Sequence, residues 1–151
     1  MKIYVQRISE NGMELESEEP QSIMDMESSE EQFLDSIRVR VKAFKVSGNL
    51  LVNGRISTNV TLTCSKCSET FSYPIDNEMF MYNCEILGRD IIDLTEPIRE
   101  DIIVGLPIKP LCREGCCGLC SHCGKNLNEG DCSCSKIRHE FQGPRLGDFL
   151  G

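Results

Sequence analysis

The chain has 151 residues, about the length of one domain, and ten of them are cysteine. A domain of this length buries roughly 68–70% of its unfolded surface, and 40% of the residues are hydrophobic, so a core can form without covalent staples. The net charge of −8 argues against a generic electrostatic grip on nucleic acid or anionic lipid.

Residues 1–12 contain no apolar segment and no small-residue cleavage site, so we expect no secretory signal. No run approaches about 18 consecutive apolar residues, which argues against a transmembrane helix. Both observations predict a cytoplasmic protein. Thiols stay reduced in the cytoplasm, where clustered cysteines bind metal or carry out redox chemistry more often than they form disulfides.

The segment from Glu10 to Asp35 contains ten acidic residues and no lysine or arginine. Because like charges repel, it is predicted to be a solvated loop or an exposed helix face, inserted into the core at about residues 10–35. A surface for a basic partner, such as a ribosomal protein, is the alternative. From Lys109 to Arg145, six basic and four acidic residues give a local charge of +2.

Short alternating segments predict antiparallel strands. Ile37–Ala43 alternates apolar with basic residues, as expected of a strand with one face in water. The phase changes at Phe44 and Val46, which predicts a bulge or a strand end. Asn53-Gly54 is the strongest hairpin signal in the chain. Further strands are predicted at Ile3–Val5, Leu50–Val52, Val60–Cys64, Phe71–Ile75 and Met79–Tyr82, with a turn at Ser47–Asn49.

One helix follows these strands. Thr95 is predicted to cap it, with Pro97 inside the first turn. Apolar residues then recur at helical spacing up to Leu106, and Gly105 and Pro107 end the helix. The predicted fold class is α+β: an antiparallel β-rich sheet or partial barrel with a covering helix, followed by a cysteine-rich, zinc-ribbon-like tail.

The composition changes abruptly after Pro110. Between Leu111 and Cys134 there is almost no hydrophobic periodicity, so this segment cannot bury enough apolar area to fold alone. We therefore predict a core at residues 1–110, a zinc-binding segment at 111–135 that is clamped to the core, and a flexible polar tail at 136–151.

Eight cysteines predict two metal sites of four ligands each. A C-x2-C loop followed by glycine lets both thiolates point at one ion, and structural zinc is closed by four such ligands. Metal-binding free energy would replace the hydrophobic core that the segment lacks. The tail group is Cys120, Cys123, Cys132 and Cys134, and the joining group, which links core to tail, is Cys64, Cys67, Cys112 and Cys116.

Other assignments stay open beside this one. Cys117 is an alternative to Cys116 as a ligand, and a redox dithiol is the alternative chemistry for the paired cysteines. Cys84 is predicted to be a buried core thiol, while His122 and His139 are not expected to bind metal. Two histidines without a triad context, and no glycine-rich phosphate loop, predict a protein that is not an enzyme and has no small-molecule substrate.

The motifs occur in a specific order. They are Thr63–Cys67, Asp93–Glu96, the Leu-Pro-x2-Pro step of Leu106–Cys112, Cys116, and Gly118–Cys134 with Asn126-Leu127-Asn128 between its cysteine pairs. This set resembles the YceD family, the large ribosomal RNA subunit accumulation proteins. The resemblance implies a bacterial or plastid-type cytosolic protein that large-subunit ribosomal RNA needs in order to accumulate or be processed. It also implies that the tail group is an accessory metal site, because some members of the family lack it. A polar residue is usual in the family at the position of Cys117.

The predicted function is therefore that of a non-catalytic, zinc-binding accessory factor for large-subunit ribosomal RNA accumulation, processing or ribosome assembly, with two zinc ions. The alternative is a thiol redox or iron–sulfur/metal-handling protein. Scattered cations on an acidic chain imply weak, salt-sensitive RNA binding. The expected partner of the monomer is a ribosomal precursor protein or ribonucleoprotein, or large-subunit ribosomal RNA within it, with no membrane contact. The predicted contacts are Lys109, Arg113, Lys125, Lys136, Arg138 and Arg145.

Overall fold

A computed structural model of the chain describes residues 1–25, 32–33 and 35–134, with residues 32–33 described by their backbone. These residues form seven strands, one α-helix and two short 3-10 helices at Val5–Arg7 and Gln21–Met24. The strands are β1 (Lys2–Tyr4), β2 (Met13–Glu19), β3 (Gln32–Phe33), β4 (Ile37–Val46), β5 (Asn49–Thr63), β6 (Thr70–Glu85) and β7 (Ile91–Asp93), and the helix is α1 (Thr95–Gly105).

The strands form two antiparallel sheets. β1 pairs with β7, and β2, β4, β5, β3 and β6 form a five-stranded sheet around the long strand β5. β4 and β3 lie along one edge of β5, and β6 lies along the other. The predicted α+β class is confirmed, since the described residues form antiparallel sheets and an α-helix.

The hydrophobic core lies on one face of the larger sheet. β4 presents alternate buried residues from Ile37 to Ala43, and β5 presents another set from Leu50 to Leu62. α1 packs over this face with Ile98 and Ile102 fully buried. The helix was predicted to cover the sheet, and its contacts with β6 confirm this.

The hairpin predicted at Asn53-Gly54 is wrong. The turn predicted at Ser47–Asn49 is confirmed: Ser47 and Gly48 both have positive φ, and Val46 faces Asn49 across this two-residue loop. β5 passes straight through Gly54, where a side chain would clash with the carbonyl oxygen of Arg40 on β4. The glycine therefore serves a close approach of two strands and not a turn.

The predicted break between two strands at Phe71–Ile75 and Met79–Tyr82 is also wrong, since both belong to β6. The pairing shifts by one residue, so that Gly54 faces Phe80 and Ile56 faces Asn77. The half-buried and buried positions change there from odd to even numbers. A bulge within one strand thus produces the phase change that resembles a strand end.

Of the bulge or strand end predicted at Phe44 and Val46, the strand end is confirmed, because β4 ends at Val46 and contains no bulge. Its register with β5 continues without a shift from Arg38 to Val46. Phe44 points to the outer face of the sheet, where its ring lies against Gly12. A local contact on the outer face therefore explains this apolar residue without an irregular backbone.

The acidic segment is neither a loop nor a helix over Met13–Glu19, so that prediction is wrong there. These residues form β2, whose exposed glutamates face the basic residues of β4 in register. The ion pairs are Glu14–Lys42 at 2.5 Å, Glu16–Arg40 at 2.7 Å and Glu18–Arg38 at 3.9 Å. Exposed pairs contribute little stability individually, but here they neutralise one face of the sheet. Residues 26–31 and 34 lie outside the described residues.

The N-cap residue of α1 lies one position earlier in the sequence than predicted. Leu94 occupies the N-cap position and makes no side-chain cap hydrogen bond. Asp93 instead accepts a hydrogen bond from the backbone N–H of Thr95 at 2.9 Å and from its hydroxyl at 2.6 Å. These bonds lower the pKa of the Asp93 carboxyl, which suits an anion at a helix N-terminus.

We expect Gly54→Ala to destabilise the protein by about 3 kcal/mol, because the added methyl group must force β4 and β5 apart. A Cβ there would lie 2.6 Å from the Cα of Val41. Asn53→Ala, a neighbouring exposed position, is the control and should change the free energy of unfolding by less than about 0.5 kcal/mol. Urea denaturation measures both, and a hairpin at this site would reverse the order.

Candidate metal centres

The joining group brings the core and the tail together at the end of β5. The sulfurs of Cys64, Cys67, Cys112 and Cys116 all lie within 4.8 Å of one another. Cys64 and Cys116 are separated by 3.8 Å, and Cys67 and Cys112 by 3.6 Å, between sulfurs. Phe71 packs against this buried group and against the main core, so the group extends the core towards the tail.

The tail group gathers four further sulfurs. Those of Cys120, Cys123, Cys132 and Cys134 also lie within 4.8 Å of one another. Cys120 and Cys132 are each 8% exposed, whereas Cys123 is on the surface. The structure thus brings together both sets of four cysteines that the sequence pairing predicted.

The two C-x2-C loops have the same hydrogen-bond pattern. The N–H of Ser68 donates to the carbonyl of Cys64 at 2.9 Å, and the N–H of Gly124 donates to that of Cys120 at 2.9 Å. In each loop the first cysteine N–H donates to the carbonyl five residues later, at 2.8 Å. Ser68 and Gly124 both have positive φ, so the turn bends both sulfurs of each loop towards one point.

The thiols of the joining group have divergent pKa values. Burial raises the pKa of Cys64, but backbone N–H donors, first that of Cys112, lower it to about 6. The N–H of Glu69 lowers the pKa of Cys67, which burial and the neighbouring sulfurs nevertheless raise to about 12. Burial also raises the pKa of Cys112. Four thiolates so close together repel one another, and a bound cation would remove this conflict.

The thiol pKa values of the tail group also diverge. Backbone N–H groups of Cys123 and His122 lower the pKa of Cys120 to about 6. The Cys123 sulfur and burial raise the pKa of Cys134 to about 11. Each group therefore combines a thiol whose pKa is lowered with one whose pKa is raised.

These geometries suit a single tetrahedral ion. Sulfurs about 2.3 Å from one zinc ion lie about 3.8 Å from one another in a tetrahedron, close to the separations in the joining group. A disulfide would require about 2.05 Å, and none of the ten cysteines, all within the described residues, forms one. The eight residues could therefore hold two metal ions, one in each group.

Asn128 contacts the joining group directly, and Asn126 contacts Glu69 beside it; no role was predicted for either residue. The amide of Asn128 donates to the Cys116 sulfur at 3.3 Å and lowers the pKa of this thiol. Asn126 donates to the Glu69 carboxylate at 2.9 Å. The only signal in the sequence is the Asn126-Leu127-Asn128 motif between two cysteine pairs.

The remaining cysteines and histidines lie outside both groups or outside the described residues. Cys117 is exposed, so the group contains Cys116 and not its neighbour. Cys84 was predicted to be fully buried in the core. It packs against the core but is only half-buried. His122 is exposed. His139 and the predicted tail at 136–151 fall beyond the described part of the chain.

Cations of the tail are exposed beside these groups. Lys109, Arg113 and Lys125 all lie on the surface. Lys125 donates to the Asp131 carbonyl at 2.9 Å, while Lys109 and Arg113 have no ion-pair partner within the described residues. Lys136, Arg138 and Arg145 lie outside them. The described part of the chain contains no helix with the length and apolar character to cross a bilayer.

Three comparisons relate this arrangement to known proteins. An uncharacterized protein of Mycobacterium tuberculosis is 32% identical over 124 residues, covering 70% of this chain and 58% of that protein. An uncharacterized protein of Mycobacterium leprae is 26% identical over 106 residues, covering 60% and 49% respectively. The chain thus spans about half the length of these relatives. No solved structure matches it significantly.

Residues 81–149 match the family described as "Large ribosomal RNA subunit accumulation protein YceD". The matched range includes α1, the last two cysteines of the joining group and the whole tail group. The resemblance predicted from the order of the motifs is therefore confirmed over residues 81–149, where the chain matches the YceD family.

Proposed function

We propose that the chain is a non-catalytic accessory factor for large-subunit ribosomal RNA accumulation, processing or ribosome assembly, and that two zinc ions fold its cysteine-rich segment. The juxtaposition of two groups of four sulfurs carries the metal assignment. The family description supports the role in RNA accumulation. Zinc has no redox chemistry of its own and would act here by fixing structure.

The sulfur separations favour one ion per group over an iron–sulfur cluster. In a four-iron cluster each cysteine binds a different iron, which spreads the sulfurs further apart than four ligands of one ion. Separations of 3.6 and 3.8 Å in the joining group fit the single ion. Zinc is the proposed ion because closed sites of four thiolates are its typical structural form.

The loop geometry also argues against a redox dithiol. A reactive C-x2-C pair normally opens a helix whose N-terminus stabilises the thiolate. Cys64 follows the end of β5, and Cys120 lies next to an isolated bridge between Leu119 and Asn126. Within the described residues, α1 is the one α-helix, and it begins at Thr95, away from both pairs in the sequence.

The proposed function needs a binding surface, and the charge distribution favours the tail. Basic residues on the outer face of the sheet already pair with carboxylates of β2 and β6, as in the contact of Arg55 with Glu78 at 3.1 Å. Lys109 and Arg113 are free of such pairing within the described residues. Two such cations on an acidic chain support a ribosomal precursor protein or a ribonucleoprotein as the partner more than naked RNA.

The organisation of the protein follows from this proposal. Residues 1–110 would fold on apolar burial, residues 111–135 would depend on zinc, and residues 136–151 would form a polar tail. The factor would act as a cytoplasmic monomer and not as an enzyme.

A pull-down from bacterial lysate tests the proposed partner. We expect the full chain to capture precursors of the large ribosomal subunit at low salt. Arg113→Glu should weaken capture, because it reverses an exposed charge beside the joining group, and Arg38→Glu on the outer face of the sheet is the matched control. Nuclease treatment separates the partners: protein capture persists after it and RNA capture does not. Absence of every large-subunit component would contradict the proposed role.

A further inference from the structure

Asn128 belongs to the tail, but its side chain lies against the joining group. Its amide nitrogen is 3.3 Å from the Cys116 sulfur and 2.8 Å from the Asn126 side-chain oxygen. Its own side-chain oxygen accepts a hydrogen bond from the backbone N–H of Cys117 at 2.8 Å. The side chain is half-buried, and both ends of its amide are used. This fixed orientation presents an N–H donor to one ligand sulfur.

The segment that carries Asn128 is held against the first C-x2-C loop. The N–H of Leu119 donates to the carbonyl of Lys66 at 3.0 Å, and Asn126 reaches Glu69 at 2.9 Å. The N–H of Leu127 closes the segment on Gly118 at 2.8 Å. One isolated bridge is the extent of its β-structure. Few backbone bonds therefore keep Asn128 in place.

The cysteines of the tail group flank this segment on both sides in the sequence. Asn128 lies between Cys123 and Cys132, whose sulfurs meet in the same group. An ion bound there would tie the two ends of the intervening loop together and remove most of its conformational freedom. Without that ion, ordering the loop would cost free energy each time Asn128 donates to Cys116.

We propose that Asn128 is a positioning residue through which metal binding in the tail group strengthens metal binding in the joining group. The inference rests on the proposed metal centres. An N–H donor to a ligand thiolate stabilises its charge and orients the sulfur, and loss of such an outer partner typically weakens metal binding by about 10- to 100-fold. Because linkage is reciprocal, an occupied joining group strengthens binding in the tail group by the same factor.

Cobalt(II) release from the full chain to a chelator tests this coupling, with sulfur-to-cobalt charge-transfer absorption as the signal. Variants Cys112→Ser and Cys132→Ser identify which phase belongs to which group. We expect Asn128→Leu to accelerate release from the joining group by about 10- to 100-fold and to shift its absorption to longer wavelength, because the sulfur loses a donor. Asn128→Asp, which keeps the shape but removes the donor, should do at least as much.

The double variant Asn128→Leu/Cys132→Ser tests whether the coupling between the two metal sites depends on Asn128. Cys132→Ser alone should accelerate release from the joining group, and adding Asn128→Leu should accelerate it no further. Asn83→Asp, an exposed change on β6, is the matched charge control and should leave release unchanged. Unchanged release in both Asn128 variants, or effects that multiply in the double variant, would overturn the coupling. Binding of fewer than two ions by the wild-type chain would overturn the metal centres themselves.

Discussion

Cys64→Ser is expected to weaken metal binding in the joining group by about 100-fold and to loosen the tail from the core. A structural zinc site contributes about 10–16 kcal/mol of binding free energy, so each of four thiolates accounts for roughly 3 kcal/mol, or about 100-fold in affinity. Cys64 is 1% exposed, and its sulfur lies 3.8 Å from that of Cys116 in the tail. The substitution therefore removes a link that apolar packing does not replace.

Hydrogen exchange measures the released region directly. The N–H groups of Ser65 and Ser68 bond to Pro110 and Cys64 at 2.9 Å each, and both should lose protection in Cys64→Ser. Amides between β4 and β5 should keep theirs, because the core packs without the tail. Cys117→Ser, which alters an exposed thiol outside both groups, is the matched control. Equal protection in both variants would show that the joining group does not hold the tail.

Cys132→Ser is expected to disorder a smaller region, residues 118–134. Cys132 is 8% exposed and supplies one of the four sulfurs of the tail group. The remaining three ligands should lose roughly 100-fold in metal affinity by the same reasoning. The joining group keeps all four of its ligands and should still retain its ion.

The matching hydrogen bonds of the two C-x2-C loops provide the measurement for this second variant. The N–H of Gly124 should lose protection in Cys132→Ser, whereas the N–H of Ser68, its counterpart in the first loop, should retain it. Cys64→Ser should expose Ser68. Loss of both amides in both variants would contradict two separable centres and would indicate one cooperative unit.

The sequence predicted features whose cause is local. β4 alternates because one face is buried and the other is wet, and this pattern needs no knowledge of its neighbours. The cysteine pairs are similar, since the C-x2-C spacing itself bends two thiolates towards one ion. The pairing of these loops followed from the number of ligands that one ion requires.

Features that depend on distant residues were not predictable in this way. Gly54 is required by the approach of Arg40 on another strand, and its local signal indicates a turn. The glutamates of β2 are compensated because Arg38, Arg40 and Lys42 lie opposite them. From the sequence of β2 alone, the same glutamates predict mutual repulsion and no strand. Asn128 gains its role only when the tail folds back on Cys116.

We propose that two ions, one in each group of four sulfurs, hold the cysteine-rich segment in place. Elemental analysis of the full chain, purified under anaerobic conditions without added metal, tests it most directly. We expect a colourless protein with two zinc ions per chain, falling to one in Cys132→Ser. A brown protein with iron and sulfide, or a chain that carries no metal while residues 111–134 remain protected from exchange, would contradict it.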